Sequence, residues 1–312
     1  MKNKRYCLVT NDVETTSIVN HRLSDDTARY VVGEGLPRLL DLYARHGVKA
    51  TFFFTGHIAK LYPSAPRAVA EAGHEVGSHG LTHEVGKAFD VMPRDEQLRH
   101  LCQSKQILED IVGRPVVSFR APAARVSKEF PAVLREAGYM IDSSVAPQRM
   151  DMFLSFGSLN KLHWLSCPRR AYVSCPDNIF RKGEGGIIEV PISAFAAPYI
   201  GTTMRVAPLL NRLTRRLLYA ETLLTGRQFV FLTHPNEFID EPRDAAPIER
   251  RADNPVAYLL GDVLRHTLKV RNLGSKALPL FEHELGFFDR KGFEYCTCSE
   301  FAKLSGMGVA AC

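Results

Sequence analysis

Apolar and polar positions along this chain follow two alternating rhythms. Residues 6–10 form a short strand-like apolar run, and over residues 35–45 Leu36, Leu39, Leu40 and Tyr43 recur at helical spacing before Gly47 stops the pattern. The aromatic run at 49–54 predicts a second strand, 64–72 a short helix and 75–78 a strand edge. A long helix is predicted over 94–111, with Leu98, Leu101, Ile107, Leu108 and Ile111 on one face. Residues 116–119, 128–137 and 139–142 then read as strand, helix and strand. Strands separated by helices at this spacing predict parallel βα units in an α/β fold.

The rhythm breaks at 150–186, which carries Trp164, the pairs Cys167-Pro168 and Cys175-Pro176, and glycines near 185. That stretch is expected to be an insertion over the core, serving as a lid or binding loop. Residues 187–190 resume as a strand, and 209–224 form a basic helix with Arg212, Arg215 and Arg216. Residues 229–233 are a wholly apolar strand, and 293–304 close with a strand and a helix. No repeat or linker divides the chain, so residues 1–312 are expected to form one domain, a length common for barrels.

Hydrophobic residues at 45% and charged residues at 24% fit a globular chain. The net charge of +6 allows anionic partners such as a sugar phosphate, a nucleotide sugar or a lipid surface. No nucleic-acid motif accompanies that charge, so nucleic acid is not expected as a partner. The seven cysteines are odd in number, and Cys296 and Cys298 are too close for a comfortable disulfide, so reduced thiols are expected. The N-terminus lacks the apolar core of a signal peptide, and no stretch approaches a bilayer span. A cytoplasmic protein is expected, with peripheral contact at the inner face of the membrane open.

Four polar clusters stand at predicted strand ends, where βα barrels carry their chemistry. In Thr10-Asn11-Asp12-Val13-Glu14, the i and i+2 acids Asp12 and Glu14 face one side of a strand; alone, such acids are more often a solvated strand end. His79 and His83, four apart on a helical turn, could share a metal, and two His with one carboxylate is a catalytic zinc arrangement. An HxxxH pair by itself is more often coincidence. Arg120 and Pro122 follow a strand, where an arginine is as often a partner for a helix carboxylate. His234 follows an apolar strand, where a lone histidine is more often a satisfied core residue.

Taken together and in this order, the clusters resemble the NodB-type polysaccharide deacetylases, carbohydrate esterase family 4. The TNDVE segment stands where that family has its first motif, in a D-V-E form, and His79 and His83 match its HxxxH. Arg120 and Pro122 match the third motif, Asp142 in YMIDSS the fourth, and Leu232 with His234 the fifth. Gly80 stands where the family usually has Ser or Thr.

The resemblance implies a distorted (β/α) barrel of seven strands and hydrolysis of an N-acyl amino sugar. It makes Asp12 the general base and Glu14, His79 and His83 the ligands of a divalent metal, foremost zinc, with cobalt, manganese or nickel as alternatives. It has Arg120 orient Asp12, a backbone N–H near Ala123 hold the oxyanion, and His234 protonate the leaving amine under the guidance of Asp142. Leu232 and Pro122 would line the acyl pocket. The expected substrate is a precursor of surface polysaccharide or glycolipid, phosphate- or lipid-linked. A deformylase or cyclic-amide hydrolase would keep the same residues. A non-catalytic glycan-binding relative would be expected to lack one of Asp12, His79, His83 or His234, and all four are present.

Overall fold

The computed structural model describes residues 4–20, 22–149, 159–242 and 265–307. In chain order, strand β1 (Tyr6–Val13) is followed by helices α1 (Asp25–Tyr30) and α2 (Leu36–His46), then β2 (Ala50–Phe54), α3 (Gly56–Leu61) and α4 (Ser64–Glu71). Strand β3 (Glu75–Ser78), helix α5 (Arg94–Val112), β4 (Ser118–Phe119), α6 (Phe130–Glu136) and β5 (Ile141–Asp142) complete the first half. The second half holds β6 (Tyr172–Cys175), β7 (Asn178–Lys182), β8 (Ile188–Glu189), β9 (Ala194–Phe195) and β10 (Ala197–Pro198). Helices α7 (Gly201–Val206) and α8 (Pro208–Thr225) lead to β11 (Phe229–Thr233), and β12 (Glu294–Tyr295) lies near the end.

Seven parallel strands run in the order β11-β1-β2-β3-β4-β5-β8, as expected for the barrel. Strands β1, β2 and β11 are buried almost without alternation because helices and the rest of the barrel cover both their faces. The sheet curls until the chain just past β8 meets β11. There the Ser193 amide donates to the Val230 carbonyl at 3.0 Å, and the Val230 amide donates to Ser193 Oγ at 2.9 Å. β12 adds parallel to the start of β1. Edge-on aromatic contacts fill the space between sheet and helices, with Tyr43 against Phe52 and Phe281, and Phe229 against Phe288 and Phe293.

Gly47 ends α2 in the left-handed conformation (φ 62°) that its place in the pattern implied. Two expectations change. β1 runs on through Asn11, Asp12 and Val13, so the first polar cluster lies within the strand except for Glu14, which follows its end. Residues 79–84 form a loop, not a helical turn, and Gly80 has φ +73°, which no helix tolerates. Of the expected insertion, 150–158 lie outside the described residues. Its remainder forms a tight turn at Leu159–Leu165 and the hairpin β6–β7, whose first strand pairs antiparallel with β8 and so lengthens the sheet at its edge. The six described cysteines are unpaired.

Candidate active site

The site is built at the C-terminal rim of the sheet, where β3, β4, β5 and β11 each deliver a polar residue, His79, Arg120, Ser143 and His234, just past their last residue, and β1 presents Asp12 and Glu14. The His79 amide donates to the Phe54 carbonyl at 2.8 Å, Arg120 to Ser78 at 2.9 Å and Ser143 to Phe119 at 3.0 Å. Ladder bonds therefore fix the backbone beneath each functional side chain. The loop carrying His83 is tied down as well, because the Gly56 and His57 amides donate to the Gly80 and Leu81 carbonyls.

Arg120 is 1% exposed and fully engaged. Its Nη1 donates to Asp12 Oδ1 and Thr10 Oγ1, both at 2.9 Å, while Nε and Nη2 reach the Ser143 carbonyl and hydroxyl at 2.7 Å. The guanidinium lies 4.5 Å from the centre of the Phe53 ring. Such a clamp fixes one oxygen of Asp12 and leaves the other, Oδ2, facing the site. Oδ2 stands 3.9 Å from both His79 Nε2 and His234 Nε2. The sequence-predicted base is thus brought together with a histidine from either side.

Glu14, His79 and His83 each offer one ligand atom, and these atoms lie within 4.8 Å of one another. His79 Nδ1 donates to the Arg120 carbonyl at 2.8 Å, which leaves Nε2 as a lone-pair donor turned toward the site. Glu14 Oε2 is buried 2.9 Å from His83 Nε2 yet has no aligned hydrogen-bond donor. A buried carboxylate oxygen without a donor, two imidazoles and an imposed tautomer fit a divalent cation of the zinc class.

The electrostatics agree with that fit. Burial pushes the Glu14 carboxyl up, but His83, His234 and His79 together hold it down to about 2. Burial lowers the pKa of His79, helped by the like charge of His83, so His79 favours the neutral form that binds metal. His83 is pushed down by burial but raised more by Glu14. The His83 and His234 side chains stay 23% and 24% exposed, so the site opens to solvent on their side. A cleft of about 400 Å³ adjoins His83, lined by Thr15, Ser24, Asp25, Asp26, His57 and Glu84.

The remaining predicted residues fall in two groups. Leu232 is nearly buried on β11 opposite Thr10, and Pro122 packs near Gly80 in the turn after Arg120. Ala123 and Ala124 in that turn both have left-handed φ (53° and 51°), a conformation that non-glycine residues seldom adopt. Lys161 Nζ donates to the Ala123 carbonyl at 2.9 Å. Asp142 is fully buried, but its described partners are Ser144, whose hydroxyl donates at 2.6 Å, and Glu189. Burial raises Asp142 to about 6, and burial with Asp142 beside it raises Glu189 well above the ordinary range, so at neutral pH Glu189 keeps its proton beside a mostly ionised Asp142.

The acid beside His234 is Glu237, with Oε1 3.9 Å from Nδ1. Glu237 is fully buried, receives Thr202 Oγ1 at 2.9 Å and pairs with buried Arg205 at 3.2 Å. A side chain on Gly201 would collide with its carboxylate, so only glycine fits there. Glu237 and Glu189 both escaped the reading of the sequence. Their signals were an acid three residues after His234 and an acid ending the apolar run Ile187-Ile188.

Residues 24–141 match the family model described as polysaccharide deacetylase. The chain is 31% identical over 123 residues to the peptidoglycan deacetylase of Helicobacter pylori, covering 39% of this chain and 41% of that protein. It is also 31% identical over 103 residues to a chitooligosaccharide deacetylase of Azorhizobium caulinodans, covering 33% and 48%. The chain thus spans about two fifths of the length of the curated relatives it matches first. Among solved structures, a Pseudomonas aeruginosa PAO1 protein described as a probable polysaccharide deacetylase superposes with TM-score 0.57 at 13% identity, covering 96% of this chain and 91% of the other, which shows the shared fold. The matched segment is similar to the polysaccharide deacetylases, and the superposition shows that the whole chain shares their distorted-barrel fold.

Proposed function

We propose that the protein is a divalent-metal-dependent hydrolase that removes an N-acetyl or other N-acyl group from an amino sugar. The observation that carries this reading is the convergence of Glu14, His79 and His83 beside an Asp12 clamped by Arg120.

Bound by those three residues, a divalent cation supplies Lewis acidity at the amide carbonyl and eases ionisation of water. Asp12 Oδ2, held clear of Arg120, takes the proton of the attacking water. Arg120 keeps that carboxylate aimed. His234, with Nε2 3.9 Å from Asp12 Oδ2 on the other side, gives its proton to the leaving amine nitrogen. The turn offers the backbone N–H of Ala123 to the developing oxyanion, the amides of Ala121, Ala124 and Arg125 being already engaged. Leu232 and Pro122 bound a pocket for a small acyl group.

The cleft beside His83 suits the sugar. Its threonine and serine hydroxyls and its carboxylates exchange hydrogen bonds readily with ring hydroxyls, whereas Asp25, Asp26 and Glu84 repel phosphate. In this reading the substrate is a precursor in surface polysaccharide or glycolipid synthesis, and any phosphate on its carrier lies away from that cleft.

The test is mass spectrometry of acylated amino-sugar substrates, polymeric and carrier-linked, incubated with enzyme of known metal content. Loss of an acetyl or formyl mass that stops on chelation and returns with zinc supports the reading and names the acyl group. Metal-free protein that hydrolyses equally well defeats it, and faster turnover of finished polymer than of carrier-linked sugar removes the biosynthetic role.

A further inference from the structure

Helix α8 is turned inside out for a helix in water. The side it buries carries Asn211, Thr214, Arg215, Leu218 and Thr222, four of them polar. Arg215 is held there by Glu284 at 3.0 Å and lies 4.2 Å from the Phe287 ring centre. The exposed side carries Leu209, Leu213, Leu217 and Leu224, with Leu209 79% and Leu224 86% exposed. At 100° per residue these four fall within one quarter of the helix, and Arg212 and Arg216 flank them on its rim. Phe195, also exposed, stands on β9, which packs against α8 and so widens the patch. Contiguous apolar surface of this kind marks an interaction face.

We infer that this face is a membrane-docking surface, which seats α8 in the plane of an anionic lipid bilayer. The inference does not depend on the chemistry proposed for the site. Charge complementarity selects the occupant. Arg212 and Arg216 are exposed and form no ion pair among the described residues. Glu221, the acid of this helix, is already neutralised by Arg169 and Arg227. Leucines enter the acyl boundary while the arginine stems lie along it and their heads meet lipid phosphates. A second copy of the chain fits less well, because a twofold axis through the middle of the exposed stripe sets Arg216 against Arg216. Arg215, grouped with these two in the sequence pattern, has no part in this face.

The test is co-sedimentation of the full chain with vesicles of phosphatidylcholine, with and without phosphatidylglycerol. The protein is expected to sediment with the anionic vesicles and to be released by salt. The double variant Leu213→Glu, Leu217→Glu should lose vesicle affinity by at least about tenfold, since each leucine withdrawn from water is worth about that much. The pair Arg212→Gln, Arg216→Gln should lose the salt-dependent part of binding. Unchanged thermal unfolding and unchanged hydrolysis of a soluble acylated sugar check that these variants fold; if the Glu pair does not, Leu213→Ser with Leu217→Ser replaces it. Failure to sediment with either vesicle, or equal sedimentation of wild type and leucine variants, overturns the inference. So does a dimer in light scattering that Leu213→Glu dissolves, which would assign the face to a second copy.

Discussion

Glu237 stands behind His234, its Oε1 3.9 Å from the imidazole Nδ1, and Arg205 and Thr202 hold the carboxylate from the far side. The resemblance to known deacetylases had given this supporting place to Asp142, whose described partners are Ser144 and Glu189. A carboxylate at Nδ1 turns the imidazole so that Nε2 faces the site. Glu237→Gln should therefore lower kcat about tenfold or more and leave bound metal unchanged. Asp142→Asn should lower kcat by less. A kcat that falls further in Asp142→Asn than in Glu237→Gln would return the role to Asp142.

The two acids of β1 divide the work differently. Asp12→Asn keeps the hydrogen bond from Arg120 but removes the proton acceptor, so turnover should fall by about 10² or more while metal content stays. Glu14→Gln replaces an anionic ligand with a neutral amide, so metal affinity should fall by at least about tenfold and turnover with it. Elemental analysis beside steady-state rates checks both. Metal lost from Asp12→Asn and kept in Glu14→Gln would exchange the assignments.

Metal binding should tighten as pH rises. Glu14 raises the pKa of His83 despite its burial, so at and below neutral pH a proton competes for the lone pair that binds metal. Titration calorimetry with zinc at about pH 6 and about pH 8 should give the weaker affinity at the lower value. In Glu14→Gln the His83 proton leaves more readily, so affinity, though lower, should depend less on pH.

Much of this was legible in the chain. The period-two placing of Asp12 and Glu14 put both acids on one side of β1, and the apolar run at 229–233 placed His234 at a strand end, because strand geometry acts locally. The four-residue spacing of His79 and His83 marked a shared ligand, but not the loop that carries them, which turns at Gly80 with a positive φ, where a side chain would press on the Phe89 ring. The pairing of Asp142 with Glu189 was not legible. It requires β5 and β8 to lie side by side, a register set by hydrogen bonds across the part of the chain that includes the β6–β7 hairpin.

That pair should make stability depend on pH in a defined sense. Asp142 has a folded pKa near 6, raised by burial from an ordinary 3.8. The stability it contributes is complete below the ordinary value and is lost as pH climbs through about 6. Glu189→Gln removes the neighbouring acid but keeps hydrogen-bonding atoms in place. Glu189, raised well above the ordinary range by burial and by Asp142, also loses stability as pH climbs. The variant's thermal unfolding temperature should therefore gain on wild type between about pH 5 and about pH 7, and a gap that does not change with pH would show that Glu189 is not raised.

Strand β1 pairs along one edge with β12 (Glu294–Tyr295) and then β2, and along the other with β11 at Phe229–Thr233. The strand that carries both acids therefore keeps one open edge during synthesis until more than two thirds of the chain has left the ribosome. Its sequence-distant contacts predict slow maturation. Until β11 arrives, β1 has a half-paired edge that invites association with other nascent chains. Production of active enzyme should then be more sensitive to chaperone supply and growth temperature than the stability of the finished barrel would suggest.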